Sequence, residues 1–201
     1  MPKPSRTDSS HAEAASAPRI IGGTLRGRRL EFSPDPRTRP MKDRVRESLF
    51  DLVGTRAVGA IAIDCFAGSG AIGFEALSRG ASRAIFCERH FPTADLLRKS
   101  ARSLGVEDRV EVKTGDVLLW PKRLPALPGD APWLVFVSPP WEFFQSRPGD
   151  VMALVESLRQ AAPPGSTFVV EADTAFDPAA LPLPERWEAR PIPPAVLYLL
   201  F

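Results

Sequence analysis

The strongest constraint on the fold is a short apolar segment that leads through a glycine-rich turn into a helix, over residues 62–77. The apolar residues before Asp64 predict a buried strand, and the spacing of apolar residues after Gly70 predicts a helix. Glycines at positions 68 and 70 let the backbone approach a ligand closely, beside the free N–H groups of the helix N-terminus. Such a unit predicts an α/β protein with a ligand at the end of the strand.

Strands and helices alternate along the rest of the chain. Strands are predicted at 61–65, 83–88, 109–113, 133–137, 166–171, 187–191 and 195–200, and helices at 41–54, 70–79, 92–104 and 148–161. This alternation predicts a parallel, doubly wound sheet, to which the final strand pair can add an antiparallel strand. A β-hairpin is predicted over residues 19–32, ahead of the first helix. We expect one domain over 19–201, preceded by a disordered tail over 1–18 that is rich in Ser, Ala and Pro.

The glycine spacing Gly68-x-Gly70-x-x-Gly73 matches the dinucleotide-binding fingerprint, which makes a nicotinamide enzyme one candidate class. In that class the strand usually enters the first glycine directly, and the turn receives a pyrophosphate. Here Asp64 ends the strand well before Gly68. A carboxylate at that position repels a diphosphate and attracts an ammonium group. The pattern therefore favours a cofactor with an amino-acid end over NAD.

Two further acids follow the next two predicted strands. Glu88 ends the strand 83–88, where an acid can hold ribose hydroxyls. Asp116 follows the strand 109–113, where a carboxylate can accept a hydrogen bond from an adenine amine. Ligands of open α/β sheets bind at the carboxyl ends of the strands, so three acids at three successive strand ends predict one binding site.

The tetrapeptide Ser138-Pro139-Pro140-Trp141 follows the apolar strand 133–137. Its two prolines fix φ and lack backbone donors, so the chain is expected to leave the sheet in a rigid, extended loop. The Ser138 hydroxyl and nearby carbonyls are then acceptors without a local N–H to compete for them. The indole of Trp141 offers a flat stacking face beside them. This combination suits a planar ring that carries an exocyclic amino group.

Basic side chains are concentrated near the N-terminus. Residues 19–46 contain nine Lys and Arg against three Asp and Glu, although the whole chain carries a net charge of only +2. An asymmetric patch of this kind is the expected footprint of a polyanion surface, and solvated faces of a hairpin and a helix are the alternative. The candidate residues for contact with a polyanion, such as RNA, are Arg26, Arg28, Arg39, Lys42 and Arg44.

Several classes of protein are disfavoured by composition. No apolar run approaches the roughly 20 residues that span a bilayer. The two cysteines, Cys65 and Cys87, fall within predicted strands, which favours packed, reduced thiols of a cytoplasmic protein over a disulfide. His11 and His90 are isolated, and no Cys and His cluster has metal-ligand spacing. We therefore expect no membrane segment and no metal.

These motifs resemble those of class I S-adenosylmethionine-dependent N-methyltransferases. Two N-terminal runs narrow the resemblance to the bacterial 16S rRNA guanine-N2 methyltransferase family: Arg-Ile-Ile-Gly-Gly-x-x-Arg-Gly-Arg-x-Leu at 19–30 and Arg-Pro-x-x-Asp-Arg-Val-Arg-Glu-x-Leu-Phe at 39–50. The resemblance covers roughly residues 19–201. The chain departs from it at Ser138 and Trp141, where the family has Asp and a Phe or Tyr, and in its proline-rich C-terminal third.

The resemblance implies a mostly parallel, seven-stranded Rossmann-like sheet with an N-terminal hairpin and helix, and an enzyme that methylates a guanine N2 amine of 16S rRNA. Its cofactor would be S-adenosyl-L-methionine, and its partner would be 16S rRNA or the small ribosomal subunit. The enzyme itself would be a monomer. The implied cofactor residues are Asp64, Phe66, Ala67, Gly68, Ser69 and Gly70 for the methionine part, Glu88 for the ribose and Asp116 for the adenine. The implied catalytic residues are Ser138, Pro139, Pro140 and Trp141, which would hold the guanine.

Three alternatives stay open on the sequence. A DNA amine or a protein glutamine is the nearest alternative target, because similar tetrapeptides serve those substrates. The literal glycine fingerprint, with Glu88, keeps a dinucleotide enzyme possible. The serine at position 138 is compatible with a non-catalytic, RNA-binding relative that retains the fold.

Overall fold

A computed structural model of the chain describes residues 17–33 and 41–201. Seven strands form a single sheet in the order β3-β2-β1-β4-β5-β7-β6. The strands are β1 Ile61–Asp64, β2 Arg83–Glu88, β3 Val110–Thr114, β4 Trp133–Val137, β5 Thr167–Asp173, β6 Glu188–Ile192 and β7 Ala195–Leu200. The helices are α1 Asp43–Val53, α2 Ala71–Ser78, α3 Phe91–Leu104, α4 Phe143–Ser146 and α5 Pro148–Ala161. All of the predicted strands and long helices are confirmed, with small shifts at their ends.

The sheet is mixed. β1 pairs in parallel with β2 and β4, and β3 and β5 extend the parallel part on either side. β7 lies antiparallel to both β5 and β6. The central strands are buried over their whole length, which is why they appear in the sequence as continuous apolar runs. The chain adds β2 and β3 on one side of β1 and then crosses to β4 on the other side. The crevice between the ends of β1 and β4 is therefore the topological switch point, where α/β sheets bind ligands.

Two hydrophobic cores cover the two faces of the sheet. Successive side chains of a strand point to opposite faces, so Ala62 belongs to the first core and its neighbours Ile61 and Ile63 to the second. The first core contains the apolar stripes of α1, α2 and α3, and the second that of α5. Both cysteines are buried and free, as expected.

The predicted hairpin over residues 19–32 is wrong, because residues 17–33 contain no strand. Only one antiparallel bridge forms there, between Arg19 and Arg29. Several backbone donors pair within the segment, but those next to its turn are used elsewhere. Ile21 N and Gly22 N donate to the Glu75 carboxylate at 2.7 and 2.8 Å.

The predicted tail over residues 1–18 lies outside the described residues except for its last two positions. Pro18 is buried, and its carbonyl accepts a hydrogen bond from Leu30 N at 2.9 Å. The last residue of that segment therefore packs with the folded chain. The extent of a single domain over 19–201 remains a prediction.

Candidate active site

The predicted cofactor and target residues follow strands that end at one edge of the sheet. Asp64 is the last residue of β1 and Glu88 the last of β2. Ser138 follows β4 directly, and Asp116 lies just beyond β3. Because these four strands are parallel, their carboxyl ends meet at the same edge. We call this set the strand-end site.

Asp64 is fully buried, and its carboxylate is only half satisfied. Its Oδ2 accepts a hydrogen bond from Gly73 N at 3.3 Å, whereas Oδ1 has no hydrogen-bond partner. Burial raises the pKa of Asp64 from 3.8 to about 7. The Gly73 hydrogen bond opposes this shift, the negative charge of Glu88 adds to it, and the backbone N–H of Phe66 opposes it more weakly. A buried acceptor without a donor is costly. An ammonium group of a ligand would supply the missing donor at Oδ1.

The glycine-rich loop beside Asp64 is shaped by close packing. A Cβ at Gly70, where φ is +76°, would lie 2.5 Å from the Leu97 side chain. A Cβ at Gly73 would lie 2.3 Å from the Phe86 ring. These two glycines therefore allow the turn and the start of α2 to lie directly on their neighbours. The spacing that matches a dinucleotide fingerprint has a packing reason in this chain.

Glu88 holds this loop in position. Its Oε2 accepts from Gly68 N at 2.9 Å, and its Oε1 accepts from His90 N at 2.8 Å. An ionised carboxylate offers about four acceptor positions, so it can still accept hydroxyl groups of a ligand. Glu88 is predicted from the sequence to be a ribose ligand, and its bond to the glycine loop was not predicted.

Asp116 has protein partners for both of its oxygens. Oδ1 caps the 3-10 helix Val117–Lys122 by accepting from Leu118 N at 3.0 Å. Oδ2 forms an ion pair with Arg147 Nη1 at 3.2 Å. An adenine amine would have to share this carboxylate with Arg147. Arg147, which precedes α5, was not predicted as a site residue, because no local motif distinguishes it.

An aromatic cluster also lies near this edge. The guanidinium carbons of Arg89 and Arg147 each lie 5.6 Å from the ring centroid of Phe143. The Phe66 ring of the glycine-rich loop meets Phe143 edge-on, with centroids 6.4 Å apart. The loop after β1 and the segment after β4 are thereby packed together. In the sequence, the run of aromatic residues after Pro140 could have indicated that Phe143 belongs to the site.

The Ser-Pro-Pro-Trp segment leaves β4 without regular structure over residues 138–140, but the predicted extended loop ends there, because the chain turns at Trp141 into α4. The Pro140 carbonyl accepts from Phe143 N at 2.8 Å, whereas no described residue donates a hydrogen bond to the Pro139 carbonyl. Trp141 is half-buried and packs against the first core. The Ser138 hydroxyl donates to Glu171 Oε2 in β5, and burial raises the pKa of Glu171. Glu171 was not predicted as a site residue.

The basic residues of the N-terminal segment fall into different environments. The side chains of Arg26, Arg28, Lys42 and Arg44 are exposed, and Arg39 lies outside the described residues. Arg28 Nη2 donates to the Ser103 carbonyl near the C-terminal end of α3. Since α3 starts beside the end of β2, Arg28 is separated from the strand-end site by a helix about 20 Å long. The RNA-binding role of these residues remains a prediction.

No helix in the described part of the chain has the length and apolar character needed to cross a membrane. Residues 17–33 and 41–201 also contain no group of three or more His, Cys, Asp or Glu side chains arranged to hold a metal ion.

The strand order, with an antiparallel β7 inserted between β5 and β6, defines the fold of class I methyltransferases. The crystal structure of an RNA methyltransferase from Salinibacter ruber in complex with S-adenosyl-L-homocysteine shares this fold, with a TM-score of 0.58 and 21% identity over 81% of this chain and 92% of that one. The chain belongs to the family described as "Conserved hypothetical protein 95", whose model matches residues 18–189.

Named relatives are similar over about three-fifths of the chain. "Ribosomal RNA small subunit methyltransferase D" of Escherichia coli strain K12 is 39% identical over 123 residues, which is 61% of this chain and 60% of that protein. The protein of the same name from Haemophilus influenzae is 36% identical over 129 residues, 62% of this chain and 64% of that protein. The solved structure of yhhF from Escherichia coli has a TM-score of 0.71 and 31% identity over 92% of this chain and 97% of that one. The matches thus span about three-fifths of the length of these curated relatives.

Proposed function

We propose that this protein is an S-adenosylmethionine-dependent methyltransferase that methylates the exocyclic N2 amine of a guanine in 16S rRNA. The observation that carries the proposal is a buried, unpaired carboxylate oxygen at Asp64 on the same sheet edge as the Ser138–Trp141 loop. The first feature suits the amino-acid end of the cofactor, and the second suits a planar ring with an amino group. The names of the relatives support rRNA of the small subunit as the substrate.

The residues at the strand ends fit this cofactor. The ammonium group of its methionine part would donate to Asp64 Oδ1, which has no donor of its own. Glu88 retains acceptor capacity for ribose hydroxyls. Asp116 would accept a hydrogen bond from the adenine amine, and Arg147, which also pairs with Asp116, would keep its ion pair with Asp150. When bound, S-adenosylmethionine supplies an activated methyl group on a positively charged sulfur. A pyrophosphate would instead meet two carboxylates, which argues against the dinucleotide class.

The loop after β4 would hold the target base. A guanine that leaves its RNA stack would lie against the Trp141 indole, with a stacking energy of roughly 1–3 kcal/mol. The Ser138 hydroxyl oxygen and the Pro139 carbonyl would accept from its N2 amine. Two acceptors on the N–H groups orient the nitrogen lone pair towards the methyl group. Positioning of this kind supplies much of the rate enhancement, and the amine becomes a strong acid only after it is methylated.

The exposed basic residues near the N-terminus would contact RNA phosphates. Arg26, Arg28, Lys42 and Arg44 carry exposed side chains, and Arg39 precedes α1 in the sequence. Contacts to phosphates position a protein on RNA without reading its sequence. We propose that the protein acts as a cytoplasmic monomer on the rRNA or on the small subunit.

Methyl transfer to small ribosomal subunits tests this function. Subunits from cells that lack this gene would be incubated with labelled S-adenosylmethionine and the wild-type protein, and modified nucleotides would be mapped by mass spectrometry. We expect label on the N2 amine of one guanine. Ser138→Ala and Trp141→Ala should lower the rate by about 100-fold while S-adenosylhomocysteine still binds. The control Glu185→Gln, exposed in a 3-10 helix, should keep the wild-type rate. A wild-type protein that binds the cofactor and labels no guanine would contradict the proposal.

A further inference from the structure

A serine and a glutamate from neighbouring strands meet at the end of the sheet. Val137 and Val170 are register partners in β4 and β5, so Ser138 and Glu171 come next on each strand. The Ser138 hydroxyl donates its proton to Glu171 Oε2. In its ionised form Glu171 can only accept, and in that form the bond has this direction. The lone pairs of the Ser138 oxygen are therefore left for a different donor.

The surroundings of Glu171 are unusual for a charged residue. It is buried, and its register partner on β7 is the buried Leu197. Over residues 17–33 and 41–201, no Lys, Arg or His nitrogen lies within 4.0 Å of its carboxylate. Burying a carboxylate without a cation costs several kcal/mol. Since a single hydroxyl offsets little of this cost, stability alone does not explain an acid at this position.

We propose that Glu171 is a positioning residue and final proton acceptor for the methyl-transfer reaction, and that it acts through Ser138. This inference rests on the proposed function. By holding the hydroxyl proton, Glu171 directs the Ser138 lone pairs towards the N2 amine of the guanine. It also supplies the negative charge that a neutral serine lacks.

The proton balance of the proposed relay is complete. Once the new N–C bond has formed, N2 carries an extra proton and a positive charge. One N–H bond of N2 breaks, its electron pair stays on nitrogen, and the proton passes to Ser138 Oγ. The proton that Ser138 already shares with Glu171 moves to the carboxylate, so serine ends neutral and Glu171 ends as a carboxylic acid. Glu171 then returns the proton to solvent after the product leaves.

The test compares Glu171→Gln, Ser138→Ala and the double variant. Gln keeps the size of the side chain and an oxygen that accepts from Ser138, but it cannot take up a proton. Glu171→Gln should leave the Kd for S-adenosylhomocysteine and the KM for small subunits within about twofold. Its kcat should fall about 100-fold, which is in the range of general acid–base catalysis. The double variant should be no slower than Ser138→Ala, because both residues act through one path. Ser138→Asp in the Glu171→Gln background should recover activity, since it places a carboxylate directly at the amine.

Two results would overturn the relay while leaving the proposed function intact: a wild-type kcat in Glu171→Gln, or single-variant effects that multiply in the double variant. A purely structural role predicts instead a lower melting temperature and weaker binding, with no recovery by Ser138→Asp. If Glu171→Gln does not fold, Glu171→Asp is the second variant. It keeps the carboxylate but moves it away from Ser138 by the length of one methylene group. Its kcat should fall at unchanged Kd, and an unchanged kcat would reject the relay. A wild-type protein that methylates no guanine would overturn the proposed function and this inference together.

Discussion

Two buried carboxylates on adjacent elements of the chain have opposite surroundings. Glu75 lies in α2 and ties the N-terminal segment to the fold, and Asp64 ends β1 at the strand-end site. Both side chains are removed from solvent. Glu75 accepts hydrogen bonds from Ile21 N, Gly22 N and Arg79 Nε, whereas Asp64 accepts one long bond and leaves Oδ1 unpaired. A buried acid with its donors in place holds structure, and a buried acid that lacks a donor is prepared for a ligand.

The surroundings of Glu75 form what we call the N-terminal anchor: Ile21, Gly22, Arg46, Glu75 and Arg79. Arg46 is completely buried, with its Nε 3.8 Å from Glu75 Oε2. Its Nη2 donates to Asp43 Oδ1 at 2.9 Å and to the Arg19 carbonyl at 2.7 Å, and its Nη1 donates to the Met41 carbonyl at 3.1 Å. Arg46 therefore has a structural role, although it belongs to the basic stretch of the sequence.

The largest effect is expected from Glu75→Ala. The change leaves the buried guanidinium of Arg46 without its buried counter-charge, so that only the half-exposed Asp43 remains, and it leaves two backbone donors without acceptors. We expect the free energy of unfolding to fall by about 3–5 kcal/mol, measured by chemical denaturation. The matched control Glu47→Ala, exposed on α1, should change it by less than about 0.5 kcal/mol. Similar values for the two variants would mean that the anchor does not stabilise the fold.

Asp64→Asn should raise the free energy of unfolding, whereas Glu75→Ala should lower it. A carboxyl whose pKa rises from 3.8 to about 7 on folding adds stability below pH 4, and this contribution is lost as the pH rises to about 7. Above that pH the wild-type protein holds a buried, half-paired charge. The amide removes that charge, so the free energy of unfolding at pH 8 should rise by roughly 2–3 kcal/mol. Thermal unfolding at pH 8 and pH 4 gives the comparison. A variant that is less stable than wild type at pH 8 would contradict this assignment.

The affinity for the cofactor should depend on pH through the same residue. Asp64 must be ionised to hold an ammonium group, so the Kd for S-adenosylhomocysteine should rise about tenfold per pH unit below pH 7. Glu88 carries the second carboxylate of this site, and its negative charge acts on Asp64. Calorimetry between pH 5.5 and 8 measures the slope. In Asp64→Asn the weaker binding that remains should lack this slope, and a flat profile in the wild type would remove Asp64 from the site.

The smallest effects are expected from the exposed basic residues. Alanine at Arg26, Lys42 and Arg44 should weaken RNA binding about equally for different sequences and flatten its salt dependence by roughly 0.7–0.9 per lost phosphate contact. Cofactor affinity should stay within about twofold, because screening limits the reach of these charges to about 8–10 Å. The control Arg186→Ala changes an exposed arginine of the C-terminal part. An equal loss of RNA affinity in the control would show that only net charge matters.

The sheet could be predicted from the sequence because apolar runs and helical spacing are local signals. The absence of the N-terminal hairpin could not be predicted. The backbone N–H groups of Ile21 and Gly22 donate to Glu75, which is more than 50 positions away in the sequence. Glu75 and Glu171 were both missed, and both lie inside apolar runs of a helix or strand. An acid within such a run is rarely buried without a reason, so its position was the available signal. The partners of such an acid come from distant parts of the chain and need the fold to be known.

We propose that Asp64 holds the cofactor, whereas Glu75 holds only the fold. Calorimetric titration of S-adenosylhomocysteine into the wild type, Asp64→Asn and Glu75→Gln at pH 8 tests it directly. Loss of a charge-assisted bond should weaken binding to Asp64→Asn by about 10- to 100-fold even though that variant is the more stable protein. Folded Glu75→Gln should bind like the wild type despite its lower stability. Wild-type affinity in Asp64→Asn, or a matching loss of affinity in folded Glu75→Gln, would contradict the claim.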